Sequence, residues 1–419
     1  MRVSERWQEN IYILLKIKKI LSHLLLIMKN LLIYLSFILL LACQSQAQGD
    51  AALPIKVGAE RMAEYVPNLA NQRVAVLANH TAMVGDTHLV DTLVAQGVNV
   101  VGIFAPEHGF RGGADAGEHV ANSVDEKTGI PIWSLYDGRT QRPADKVMQA
   151  FDLLVVDMQD VGLRFYTYYI TMLRMMDACA DFGCRVIVLD RPNPNGMYVD
   201  GPLLDMKHKS GVGALPIPVV HGLTMGEIAI MARGEGWSKE CELQVVKCEN
   251  YTHQSRYTLP VAPSPNLRTQ HAIYLYPSTC LFEGTICSLG RGTEFPFEVY
   301  GHPDYAGSEF SFTPRSMAGA KNPPLKDKLC YGVDLRLKDD EQIIAEGFNL
   351  EYVIDAYRNL NARSGVGERF FTRMFELLVG VDYVREMIIA GHSADEIRAV
   401  WQTDLEEFKA LRRRYLLYE

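Results

Sequence analysis

The sequence predicts an α/β protein: a mainly parallel sheet domain over residues 57–265, then a smaller α+β domain over 266–419. Three observations predict it. Apolar runs at 98–105, 151–158, 185–189 and 217–220 each stop abruptly at polar residues, as buried parallel strands do at the carboxyl edge of a sheet. Segments with helical spacing lie between such runs, and that alternation argues for a parallel sheet covered on both faces. The alternation stops at Ala262-Pro-Ser-Pro-Asn266, which reads as a hinge, and a mixed pattern follows.

Taken in order, 57–69 carries apolar residues at helical spacing, and strands are expected at 73–78, 98–105, 132–136, 151–158, 185–189, 217–220 and 243–246. Helices are expected at 87–96, 144–150, 165–182 and 225–233. The longest of these places Tyr169, Met172, Leu173 and Met176 on one face, and Gly183 ends it. Beyond the hinge come glycine-rich loops over 276–303, a strand at 331–337, and helices starting near Asn349, Phe370, Val381 and Ser393.

The first 43 residues stand apart. Lys29 precedes an apolar stretch, 31–41, which ends in Leu40-Leu41-Ala42-Cys43; basic, apolar and small-residue parts in that order make a secretory signal. Met28 is then a candidate start. Cys43 after a small residue resembles a bacterial lipoprotein box, which implies lipidation of Cys43, a tether over 44–56 and a periplasmic, outer-membrane location. Cleavage at Ser45-Gln46-Ala47 is the alternative and releases a soluble protein. The apolar core is shorter than the roughly 18 residues of a membrane-spanning helix.

Six of the 42 Lys and Arg and two of the 50 Asp and Glu lie in these 43 residues, so the remainder is net about −12. That balance disfavours nucleic acid as a partner. Seven cysteines remain after Cys43, an odd number without Cys-x-x-Cys spacing, and they read as buried thiols.

Several motifs lead nowhere. Gly222-Leu-Thr-Met-Gly226 is centred on Thr224, which with Glu227 forms a capping box; Ser393 with Glu396 forms another. No Gly-x-Gly-x-x-Gly or Walker loop supports nucleotide binding. Glu107, His108, Asp115, Glu118 and His119 match no helical metal motif and are interrupted by glycines, so neither a metal nor another cofactor is expected.

Two clusters carry chemistry. In the first, the apolar run that ends at Ala105 delivers Glu107, His108 and Arg111 on a glycine-rich turn. Together with Asp160, Arg164, Arg191, Asn193 and His221 after the other runs, these form one expected polar rim for binding a ligand. The second holds Glu283, Glu294 and Glu298 interleaved with Gly284, Gly290, Gly292, Arg291 and the rings of Phe282, Phe295 and Phe297. Aromatic rings alternating with hydrogen-bonding groups suit the face of a sugar. Glycoside hydrolysis commonly needs one protonated carboxyl and one carboxylate, for which Glu107 with Glu294 or Glu283 are the candidates. Tyr168 and Asn266 join the expected substrate contacts.

The stretches Ala105-Pro-Glu-His-Gly-Phe-Arg-Gly, Gln159-Asp-Val-Gly-Leu-Arg-Phe-Tyr-Thr-Tyr168, Asp190-Arg-Pro-Asn-Pro-Asn-Gly196, Pro263-Ser-Pro-Asn-Leu267, Tyr276-Pro-Ser-Thr, Phe282-Glu-Gly-Thr and Gly290-Arg-Gly-Thr-Glu-Phe-Pro-Phe-Glu298 resemble the exo-β-N-acetylmuramidase (NamZ) family, in order and from about Val57 to the C-terminus. The resemblance implies a Rossmann-like domain with a smaller C-terminal domain and an active-site cleft between them. It also implies release of N-acetylmuramic acid from non-reducing ends of peptidoglycan fragments, with Glu107 catalytic and Glu294 as its partner. Muramic-acid disaccharides and muropeptides are the implied substrates. The lactyl carboxylate of muramic acid calls for a fixed cation; Arg164 is the first candidate, Arg191 the second, and Arg111 and Arg291 remain open. A solute-binding lipoprotein and a metal-dependent cell-wall amidase are the rival readings.

Overall fold

The computed structural model describes residues 2–46, 53–106, 109–110, 122–135 and 142–419. It divides into two compact units, Met1–Pro54 and Ile55–Glu419. The first is a single helix, α1 (Arg2–Gln46). No helix among the described residues is long and apolar enough to cross a membrane.

The second unit is built on strands β1 (Val74–Ala78), β2 (Val100–Ala105), β3 (Ser123–Val124), β4 (Pro131–Ser134), β5 (Leu153–Asp157), β6 (Arg185–Leu189), β7 (Asp200–Leu203), β8 (Pro218–Val220) and β9 (Leu243–Val246). Seven of them make one sheet in the order β9-β6-β5-β1-β2-β4-β3, parallel except for the β3–β4 pair. The central strands β1 and β5 are buried along their whole length, and alternation assigns their side chains to two different cores. Ala75, Leu77, Leu154 and Val156 face one apolar cluster; Val74, Val76, Leu153 and Val155 face the other.

Helices α2 (Leu89–Ala95), α3 (Tyr168–Phe182) and α4 (Met225–Gly234) cover the sheet domain. Most of α3 is buried, and Gly183 ends it in the left-handed conformation with φ 67°. Thr224 and Glu227 form the expected capping box on α4, as Ser393 and Glu396 do on a later helix. All seven cysteines after Cys43 are free and buried.

Three expectations need correction. The run at 217–220 is not a strand of the main sheet, because β8 pairs antiparallel with β7 in a separate ribbon. The segment 57–69 is no continuous helix; it breaks into single turns, with Pro67 at the start of one. And α5 (Gln270–Thr279) forms where a loop was expected to begin. Pro277 lies inside α5 and lacks an N–H, which frees the Ile273 carbonyl four residues earlier; Asn195 Nδ2 donates to it at 3.3 Å.

After α5 and a 3-10 turn, Cys280–Gly284, strands β10 (Val299–His302), β11 (Ser311–Phe312) and β12 (Cys330–Asp334) form a small antiparallel sheet. Helices follow, among them α6 (Glu351–Ser364) and α7 (Arg373–Val379). The apolar cluster on one sheet face continues through Tyr169 and Met176 of α3 to Phe375 of α7 and on to Trp401 and Phe408. The C-terminal helices therefore share one core with α3.

Candidate active site

The carboxyl edge of the sheet carries the polar residues the sequence placed there, yet most are consumed by one another. Asp157 ends β5 and takes Arg191 Nε at 2.5 Å and Nη2 at 2.9 Å, while Nη2 also reaches the Met83 carbonyl at 2.9 Å. Asp190, just past β6, accepts from Thr224 Oγ1 at 2.7 Å, Tyr418 Oη at 2.7 Å and the Gly226 amide at 2.8 Å; burial still pushes its pKa up to about 6. Asn193 donates to the Leu223 carbonyl and accepts from the Asn195 amide. Asn193 thus has both side-chain polar atoms engaged, and Arg191 commits Nε and Nη2 within the fold with its side chain only 3% exposed, a correction to their expected place on an open rim.

His221 and Arg164 are likewise buried within the fold and not set on an open rim. His221 follows the small ribbon and is fully buried, Nδ1 accepting from the Leu223 amide. Burial first, then the Arg412 and Arg164 charges, press its pKa down to about 3, so it is neutral. Arg164 is 0% exposed. Its Nη1 donates to the Pro202 and Ile217 carbonyls and its Nη2 to those of Leu378 and Val379. The last two are free carbonyls at the C-terminal end of α7, where the helix dipole favours a cation. Burial lowers its pKa to about 10. Arg164 ties the C-terminal helices to the β7–β8 ribbon and reads no substrate.

Asp160 differs from its neighbours. It is buried; Oδ1 accepts from the Gly162 amide at 2.7 Å, and Oδ2 has no hydrogen-bond partner among the described residues. Burial raises its pKa to about 7, against the pull of backbone amides at Gly162, Val161 and Tyr169. The end of β1, which the sequence reading passed over, also contributes. Thr81 Oγ1 accepts from the Gln159 amide at 3.0 Å, and His80 Nε2 lies 2.8 Å from the Ala262 carbonyl. The signal was present, since β1 too is an apolar run ended by polar residues.

Glu107, His108, Arg111, Asp115, Glu118 and His119 lie outside the described residues. The residues on either side are anchored: the Gly109 amide donates to the Pro106 carbonyl at 3.0 Å, and Phe110 is buried edge-on against His88 with ring centroids 4.8 Å apart.

An open site lies beside this edge. A cavity of about 120 Å³ is lined by Phe165, Tyr166, Thr167 and Tyr168 at the start of α3, by Ser264, Asn266 and Leu267 in the connecting loop, and by Val212, Tyr276, Glu283, Arg291 and Phe297. Tyr166 and Tyr168 donate to the Pro263 carbonyl at 2.9 and 3.3 Å, which fixes both rings against the loop. Asn266 Nδ2 donates to the Gly319 carbonyl at 2.8 Å. Tyr276 packs edge-on to Phe165 and Phe297. Arg291 Nε and Nη2 donate to Glu283 Oε1 at 3.1 and 2.5 Å, and the guanidinium lies 5.1 Å from the Phe297 ring centre. Phe297 itself has φ 67°, a conformation uncommon outside glycine.

Of the expected site residues, Tyr168, Asn266, Glu283 and Arg291 meet at this cavity. Glu294 does not: its side chain is 81% exposed, with Arg268 at 3.4 Å. Phe282 stacks on Tyr300 in the core, and Phe295 lies under Arg336, so only Phe297 of the three rings expected there lines the cavity. Ser264 and Tyr276 also line it, although the sequence reading assigned them no role beyond their place in the family-like motifs, and Tyr166 lies beside Tyr168 as expected.

A parallel-sheet α/β body with a carboxylate and an arginine set among aromatic rings has the make-up of a carbohydrate-processing enzyme. Residues 74–271 match the family model described as exo-beta-N-acetylmuramidase NamZ, N-terminal, and residues 274–418 match its C-terminal counterpart. The chain belongs to the NamZ family and is a glycoside hydrolase. It is 36% identical over 375 residues to the peptidoglycan beta-N-acetylmuramidase NamZ of Bacillus subtilis (strain 168), covering 85% of this chain and 89% of that one. Two DUF1343 family proteins from Bacteroides fragilis have solved structures similar to this one. They are 57% and 27% identical with TM-scores of 0.81 and 0.75, and each alignment covers 87% of this chain and 99% of the other.

Proposed function

We propose that the protein is an exo-acting β-N-acetylmuramidase that releases N-acetylmuramic acid from the non-reducing end of peptidoglycan fragments by carboxylate acid/base catalysis. The cavity lining is the observation that carries this reading: an ion-paired carboxylate and arginine within aromatic walls suit a sugar that bears charge. The name of the Bacillus subtilis relative supports the same substrate. Neither rival reading, solute binding or metal-dependent amidase chemistry, has support among the relatives.

Glu107 is the proposed general acid, following Pro106 at the end of β2. Its partner moves from Glu294 to Glu283, because a carboxylate in open solvent has neither the position nor the low-dielectric surroundings for the task. Glu283 spends Oε1 on Arg291, and no hydrogen bond engages Oε2 among the described residues. Lipidation at Cys43 and a periplasmic, outer-membrane location complete the proposal, on the strength of the lipobox-like stretch. A chromogenic N-acetylmuramic acid glycoside tests the activity: release of the chromophore is expected, and its absence with folded protein overturns the reading.

A further inference from the structure

We infer that Arg291 reads the carboxylate of the substrate's lactyl group, through the guanidinium edge that the protein leaves open; this rests on the muramidase reading above. Arg164 has both terminal nitrogens on backbone carbonyls, and Arg191 is met by both oxygens of Asp157. Arg291 engages a single oxygen of Glu283 through Nε and Nη2. No hydrogen bond engages its Nη1 among the described residues, and the side chain keeps 19% of its surface exposed at the cavity.

The guanidinium is also held in place. Phe297 lies beneath it, and Gly290 and Gly292 on either side adopt φ 84° and 81°. A Cβ at Gly290 would stand 2.8 Å from the Phe295 carbonyl oxygen, and one at Gly292 would stand 2.5 Å from that of Arg315. The loop therefore has little freedom to swing the arginine away, and a preorganised cation binds without an ordering cost. About 120 Å³ is below the ~300–1,000 Å³ of complete ligand pockets. It is the size of a subsite that takes a charged side arm while the sugar ring lies along the aromatic wall. The lactyl ether supplies that arm, and N-acetylglucosamine, which lacks it, leaves the cation unanswered.

The test compares kcat/KM for three chromogenic glycosides: N-acetylmuramic acid, its lactyl methyl ester, and N-acetylglucosamine. Wild type is expected to favour the free acid over both others by at least about 100-fold. Arg291→Ala should bring the ratios within about 10-fold of one another, and Arg291→Lys should restore part of the preference because it keeps the charge but not the fork. Equal cleavage of acid and ester by wild type, or an undiminished preference in folded Arg291→Ala, overturns the assignment and leaves the muramidase reading standing. Failure to cleave any of the three overturns that reading itself. The ester comparison uses wild type alone, so it can overturn the assignment even if the variants do not fold.

Discussion

At the sheet edge, Arg191 gives Nε and Nη2 to the two oxygens of Asp157, and neither side chain is more than 3% exposed. In the cavity, Arg291 gives the same two nitrogens to one oxygen of Glu283, with the side chains 19% and 30% exposed. The residue types are alike and the consequences opposite. A bidentate pair in a dry interior uses both carboxylate oxygens and is shut away from a ligand, and breaking it strands a charge. A one-sided pair at a cavity wall orients two charged groups while keeping an edge of each for something else. The first pair is closed off from solvent, and the second borders a cavity.

The largest effect should come from opening the closed pair. Asp157→Ala leaves Arg191 buried without its counter-ion and is expected to cost about 3–5 kcal/mol in urea unfolding, whereas Glu283→Ala should cost less than about 1 kcal/mol at its more exposed site. Equal losses from the two would erase the distinction drawn here.

Turnover should respond the other way round. Glu107→Gln and Glu283→Gln are each expected to lower kcat by at least about 100-fold, the usual scale for losing an acid or base, with unfolding midpoints near wild type. A folded variant that keeps near-normal turnover removes its residue from the mechanism.

A smaller effect distinguishes Asp160 from the closed network around it. Burial holds its folded pKa near 7, above the ordinary 3.8, so between those values the folded state binds more protons than the unfolded one. Stability is then greatest below the ordinary value and is lost as pH rises through about 7. Asp160→Asn keeps an acceptor for the Gly162 amide and has no proton to lose. Between pH 5 and 8 the wild type should lose roughly 2–3 kcal/mol more than the variant. Parallel pH profiles would mean that Asp160 is not protonated in the fold.

The smallest expected effect is none. Activity should survive exhaustive EDTA treatment, since carboxylate-based glycoside hydrolysis needs no metal. Loss on chelation with recovery by one specific divalent ion would instead make His108 and His119 candidate ligands.

Strand ends were legible because their signal is local. The runs ending at Ala105, Val156 and Leu189 are apolar through the buried strands, and polar residues stand at or just past the strand ends. The same rule misplaced β8, since three buried residues look alike whether they join a parallel sheet or a separate ribbon. α5 was missed because Pro277 argues against a helix unless something else satisfies the carbonyl it frees. That partner, Asn195, lies 78 residues away from Ile273.

Among the site residues, Glu283, Arg291, Tyr168 and Asn266 could be picked out from their glycine-rich and aromatic surroundings. The sequence by itself determined the α/β class, the polar edge, the caps at Thr224 and Ser393, and the family motifs, all of which depend on patterns within a few residues. Only the tertiary structure decided which of several arginines is spent. Whether a guanidinium meets carbonyls, a carboxylate or open space depends on which chain returns to it: Leu378 and Val379 come from far away to Arg164 and Asp157 comes to Arg191, whereas Arg291 meets only the nearby Glu283. The charge is a property of the residue, and its availability is a property of what packs against it.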